Sequence, residues 1–239
     1  METARWEDGH RTLTARLAGL AGVAYVALAF APGSLGGPLF RDISSAQIVN
    51  WAARNTSALS VDGYISGLSG SVLALLIILL ISVVRGRGLL AVVATSSIAA
   101  AMAVDWVRAG AYYALADASQ RGHADAAVVA LFSLVKTLTY ADGLAFGLAV
   151  AAVCLLAMRS LTLPRPLSWL GMALSAYFIT STPVQLAVTR GPGGATGPIG
   201  VVLGLFWILA VAALLLIKPA RGTRSQPQDP ARTVAATAG

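Results

Sequence analysis

Six stretches of predominantly apolar residues follow one another along the chain, at 13–31, 63–84, 88–115, 126–157, 166–188 and 199–217. Each is long enough for a helix to cross a hydrocarbon layer, which takes about 20 residues. The expectation is therefore an all-α, polytopic transmembrane helix bundle of six spans. The stretches at 88–115 and 126–157 exceed that length and must tilt, kink or project beyond the bilayer. What remains is an N-terminal segment at 1–12, one membrane domain at 13–218 and a tail at 219–239. The tail is rich in Thr, Pro, Gln and Ala and reads as disordered in the cytoplasm. Composition agrees, since only 11% of residues are charged where soluble domains carry about 25%.

The basic residues set the expected orientation. Arg5, Arg11, Arg16, Arg85, Arg87, Arg159, Arg165, Lys218, Arg221, Arg224 and Arg232 fall on one side of a six-span layout, and Arg41, Arg54, Arg121 and Arg190 on the other. By the positive-inside rule both termini are cytoplasmic and the protein belongs in the cell membrane. Scattered over short loops, these charges account for the net +7 without a nucleic-acid groove. The lipid bilayer is the partner they imply. The first stretch has a small-residue site at Ala27-Leu28-Ala29, but its apolar run continues past it, so a retained helix is expected rather than a cleaved signal peptide.

Several chemistries lack their residues. Cys154 is the single cysteine, inside an Ala/Val/Leu run, so neither a disulfide nor a dithiol redox pair exists within the chain. His10 and His123 lie outside the spans, where they do not serve as haem ligands, and no Cys/His cluster offers a metal site. No phosphate-binding loop is present either, and no cofactor is called for. Lys136 as the seat of a retinal-type Schiff base is disfavoured by its place in the fourth span.

The polar residues inside the spans are the informative ones. Asp62, Asp105 and Asp142, with Arg108, Lys136 and Gln185, all fall in the extracytoplasmic half. At 1.5 Å per residue, Asp142 is about 24 Å from the inner end of its helix and Asp105 about 25 Å. A charge at membrane depth costs roughly 2.5–3.5 kcal/mol, so such residues pair or serve a function. Asp105, Arg108 and Tyr112 share one helical face, Lys136 shares another with Tyr140, and Asp142 neighbours Phe146. Three acids and two bases leave a shell one unit negative. Two readings follow: inter-helix ion pairs that hold the bundle, or a polar pocket open to the outside.

Asp62 and Asp142 open a repeated phrase, Asp-Gly followed four residues later by Gly-Leu. Gly63/Gly67, Gly143/Gly147 and Gly200/Gly204 are Gly-x-x-x-Gly pairs near the outer ends of spans two, four and six. Small residues four apart let helix backbones approach closely in lipid. The spans read as three degenerate helical hairpins, with Ile199 in place of the aspartate in the third. Before span two, Ser44 and Gln47 form a capping-box pattern, and Ile48, Trp51, Ala52 and Asn55 share a face of an amphipathic helix at 44–56 on the outer side. That helix either packs on its own bundle or covers a cavity.

Three segments carry a resemblance: Thr14-Ala15-Arg16-Leu17-Ala18-Gly19, the helix before span two, and Leu163-Pro164-Arg165-Pro166-Leu167-Ser168-Trp169-Leu170-Gly171 at the entrance to span five. From 14 to 218 the chain resembles a family of bacterial six-helix integral membrane proteins. Its members show Leu-Pro-Arg-Trp-Leu-Gly at that entrance, where Pro166 here stands for the first tryptophan. The resemblance implies the topology and no activity.

Two functions are compatible with these residues. One is a binder, sensor or transport-related protein whose pocket holds a small polar or amphiphilic ligand. The other is an intramembrane enzyme in which a protonated Asp105, Asp142 or Asp62 starts isomerisation or cyclisation of a terpenoid or polyene. Tyr64, Trp106, Tyr112, Tyr140 and Phe146 would then face the cation.

Overall fold

The computed structural model describes residues 2–31, 43–84, 86–187 and 196–217, with side chains placed for 10–31, 43–84, 86–183 and 199–217. The link at 32–37, the tail at 219–239 and the Gln185 side chain lie outside the described residues. Among those described, the chain is wholly helical, with seven helices: α1 (Glu2–Ala29), α2 (Ser45–Arg54), α3 (Thr56–Val83), α4 (Leu89–Gln120), α5 (Asp125–Ser160), α6 (Arg165–Ala187) and α7 (Thr196–Ile217). Five are long and apolar enough to cross a membrane: α1 over His10–Ala29, α3, α4, α5 and α7. The expectation of six spans is thus met for five helices. In α6, Ser168, Ser175, Thr180, Ser181, Thr182 and Pro183 break up the apolar run.

The six long helices form a ring in chain order. α1 packs on α3, α3 on α4, α4 on α5, α5 on α6 and α6 on α7, and α7 closes against α1. Inside it lies a core that includes Leu76, Ile77, Leu80, Ile98, Val150, Val153, Trp207 and Val211. Trp207, fully buried, donates its indole N–H to the Leu167 carbonyl at 3.0 Å and so ties α7 to α6. Cys154 is buried in the same core.

Close packing falls where glycines remove side-chain bulk. A Cβ built on Gly63 would sit 3.0 Å from the Ala109 carbonyl, and one on Gly67 3.1 Å from the Trp106 ring, so this pair faces α4. Gly143 and Gly147 face α6, where their added Cβ atoms would meet Phe178 at 3.3 and 3.0 Å. In each case the pair turns toward the next helix in the chain. The third pair departs from this rule: Gly200 abuts Tyr177 on the preceding helix, and Gly204 has nothing nearer than 3.8 Å. α1 and α7 are instead joined through Gly19 and Gly22, which lie against Leu216 and Ala212.

α4 and α5 have 32 and 36 residues, about 48 and 54 Å of helix, longer than the roughly 30 Å thickness of a hydrocarbon layer. Gly122, at φ 65°, provides the left-handed residue in the turn between them. α2 packs against both helices near this turn. Its capping box is formed, with Ser44 Oγ accepting from the Gln47 backbone N–H at 3.4 Å and Gln47 Oε1 from that of Ser44 at 2.8 Å. Ile48 and Ala52 are buried with Leu115, Val128 and Val135, and Trp51 meets Phe132 edge to face at 5.9 Å.

Candidate functional site

Alternate faces of α3 serve two purposes. Gly63, Gly67 and Gly70 turn toward α4, whereas Asp62, Ile65, Ser66, Ser69 and Leu73 line a cavity of about 380 Å³. The helical period produces this split, because residues three or four apart share a face. The cavity lies in the half of the bundle that carries α2 and the α4–α5 turn.

Arg108 organises the polar wall. Its guanidinium pairs with Asp105 one turn earlier on α4, and its Nε donates to Ser66 Oγ on α3 at 2.8 Å. Nη1 lies 3.8 Å from Asp142 Oδ2 on α5, a charge–charge contact longer than a hydrogen bond. One planar fork thereby links three helices, a geometry that arginine allows and lysine does not. Asp105 is 3% exposed and sits behind the wall, directly beneath Gly70, where an added Cβ would collide with it.

Asp62 and Asp142 each keep one carboxylate oxygen, Oδ1, that is buried and without a hydrogen-bond partner among the described residues. Both side chains line the cavity. A buried acceptor left unpaired costs about 1–3 kcal/mol, and more when it is charged.

The other wall has a different character. Phe146 on α5 and Phe178 on α6 meet edge to face at 5.5 Å, and α7 adds Val201, Val202, Leu205 and Ile208. Among the described residues, none of the lining side chains from α6 or α7 is polar. Tyr25 and Ala29 of α1 complete the lining with Tyr112, Thr139 and Gly143.

Of the residues singled out from the sequence, Asp62, Arg108, Tyr112, Asp142, Gly143, Phe146 and Gly204 line the cavity, with Asp105 held against Arg108. Tyr64 and Trp106 do not: they are 64% and 57% exposed and face away from the bundle, so they offer no ring face to a cation held there. Lys136 is half-buried, does not line the cavity and pairs with none of the three aspartates among the described residues. Tyr140 contributes instead a backbone carbonyl that accepts from Thr182 Oγ1 at 3.3 Å. The cavity wall includes no residue of α2, which packs on α4 and α5 rather than over the opening.

Sequence reasoning missed Tyr25, Ser66, Ser69 and Phe178. A tyrosine in the apolar run of α1 was the visible signal for Tyr25. Ser66 stands one turn after Asp62, on the same helical face, and that spacing could have found it. Compared with known proteins, the chain matches no family model, no curated protein and no solved structure.

Proposed function

We propose that this is a multi-pass protein of the cell membrane that holds a small amphiphilic molecule in the extracytoplasmic half of its bundle. The observation that carries this reading is the two-sided cavity. Carboxylates, serines and a guanidinium stand on α3, α4 and α5, and among the described residues only apolar side chains face them from α6 and α7. A volume of about 380 Å³ is within the roughly 300–1,000 Å³ of small-molecule sites, which are mostly apolar with a few placed polar groups. The polar end of a ligand belongs near Asp62 and Asp142, and its apolar part along Phe178 and α7.

The reading includes α6 as a sixth span. Its place in the ring between α5 and α7 supports this, as do the hydrogen bonds of Ser175 and Thr182, although the buried Ser168 Oγ has no partner among the described residues. Ser175 donates to the Gly171 carbonyl at 2.8 Å and Thr182 to Tyr140, which removes much of the cost of polar groups in lipid. Both termini are placed in the cytoplasm by the arginine bias. With Cys154 replaced, single cysteines at Ser57 and Gly122 should be labelled by an impermeant reagent from outside the cell, and cysteines at Arg87 and Ser160 should not. Outside labelling at Arg87 would invert or break this topology.

Gly204 provides the test of the ligand. Its added Cβ meets only ring atoms of Phe178 and Phe146, at 3.8–3.9 Å, so a larger side chain enters the cavity without displacing a helix. Native mass spectrometry of protein purified from its own membranes should find a retained small amphiphile. Gly204→Leu should lose it and melt within a few degrees of the parent. Equal retention by both proteins would place the molecule elsewhere, and a bare parent protein that no added amphiphile stabilises would end the proposal.

A further inference from the structure

We infer that the ligand is an organic cation, an alkylammonium whose charged head sits between Asp62 and Asp142. This rests on the amphiphile-binding reading and goes further by naming the head group.

Charge is the first argument. The carboxylates of Asp105 and Asp142 share one guanidinium, and a third carboxylate, that of Asp62, lines the same cavity, whose lining does not include Lys136. The wall is short of positive charge, and a neutral or anionic head leaves that deficit in place.

Hydrogen-bond capacity gives the second argument, independent of charge. Arg108 has its Nη2 on Asp105, its Nε on Ser66 and its Nη1 turned to Asp142. Its fork is committed to the protein and is a poor receptor for an incoming anion. Meanwhile Asp62 Oδ1 and Asp142 Oδ1 are acceptors without donors among the described residues. The site lacks donors, and an ammonium brings up to three of them with its charge. Asp62 has no ion pair among the described residues, so it is the carboxylate that a ligand cation can neutralise without competing against Arg108.

The nature of the cation follows from the surroundings. Among the described residues no three His, Cys, Asp or Glu side chains gather as metal ligands. The opposite wall, from Phe178 to Ile208, calls for a hydrocarbon tail on the same molecule. Bringing an ammonium to Asp62 is comparable to a charge-assisted hydrogen bond, and such bonds contribute about 1.5–3 kcal/mol.

Octylamine, octan-1-ol and nonanoate share an octyl tail and differ in the head, so their effects on the melting of the purified protein in detergent separate the two proposals. Octylamine should reach half-maximal stabilisation at a concentration at least about tenfold below that of octan-1-ol. Asp62→Asn should remove that difference by weakening the response to octylamine. An equal response of the parent protein to amine and alcohol would keep the amphiphile site and overturn the cation. Preference for nonanoate would overturn it too, and make Arg108 the head-group partner. If none of the three stabilises the parent protein, the cavity is not an amphiphile site and both proposals fall. The head-group comparison needs no variant, so it decides the matter even if Asp62→Asn does not fold.

Discussion

Replacing Arg108 with methionine should lower the stability of the purified protein by about 3–5 kcal/mol, the range for breaking a buried ion pair from one side. The side chain is held by Asp105, Ser66 and Asp142 on three helices. Its loss strands two acidic groups and a serine hydroxyl inside the bundle. Methionine keeps much of the volume, so the loss reports on charge and hydrogen bonding rather than on a cavity. Arg108→Lys should fall between, because a single ammonium cannot reproduce the fork. Adding Asp105→Asn to Arg108→Met should recover part of the loss, since one stranded carboxylate is gone. Chemical unfolding in mild detergent reads all three. A methionine variant within about 0.5 kcal/mol of the parent, the scatter of an ordinary surface change, would show that the cluster is not holding the helices.

The second large effect is expected from a single methyl group. A Cβ on Gly70 would lie 2.6 Å from Asp105 Cβ and 2.8 Å from its Cγ. Asp105 cannot swing clear, because it is buried and paired, so α3 and α4 must separate or the ion pair must open. Gly70→Ala should cost about 1–3 kcal/mol, at the upper end because overpacking and loss of the pair add. Gly67→Ala is the matched control one turn away. Its neighbour is the ring of Trp106 at 3.1 Å, which is largely exposed and free to tilt, so the loss should stay well below 1 kcal/mol. Because both act on one ion pair, Gly70→Ala and Arg108→Met should be less than additive in a double-mutant cycle. Full additivity would mean that the methyl group acts on helix packing alone.

Helix identity was legible in the sequence because hydrophobic length and capping chemistry are local properties. The Ser44–Gln47 box needed only four residues to be recognised, and it is formed. α6 was harder, since Ser175, Thr180 and Thr182 look costly until their acceptors one turn away or on α5 are known. The cluster of polar residues in one half of the bundle could be read from depth along each helix. Which side chains turn inward could not. Trp106 and Asp105 are adjacent in sequence, yet one is exposed and the other buried; rotation about the helix axis is set by packing against neighbours, here by the glycines of α3. Lys136 has the right depth and the wrong azimuth. The apolar wall was invisible for a different reason: Phe178, Val201 and Leu205 resemble any core residues until the space beside them is seen.

The pairing of Asp105 with Arg108 on one helix also bears on how the protein is made. On the membrane topology proposed above, α4 would enter the bilayer before α5 is made. An acid and a base three residues apart on it would travel together, so that α4 brings its own counter-charge and needs no later helix to neutralise it. Asp142 arrives afterwards without a partner on α5, and Arg108 is already in place to receive it. The order of charges along the chain thus matches the order of synthesis: a self-balanced helix is laid down first, and the acid that depends on it follows.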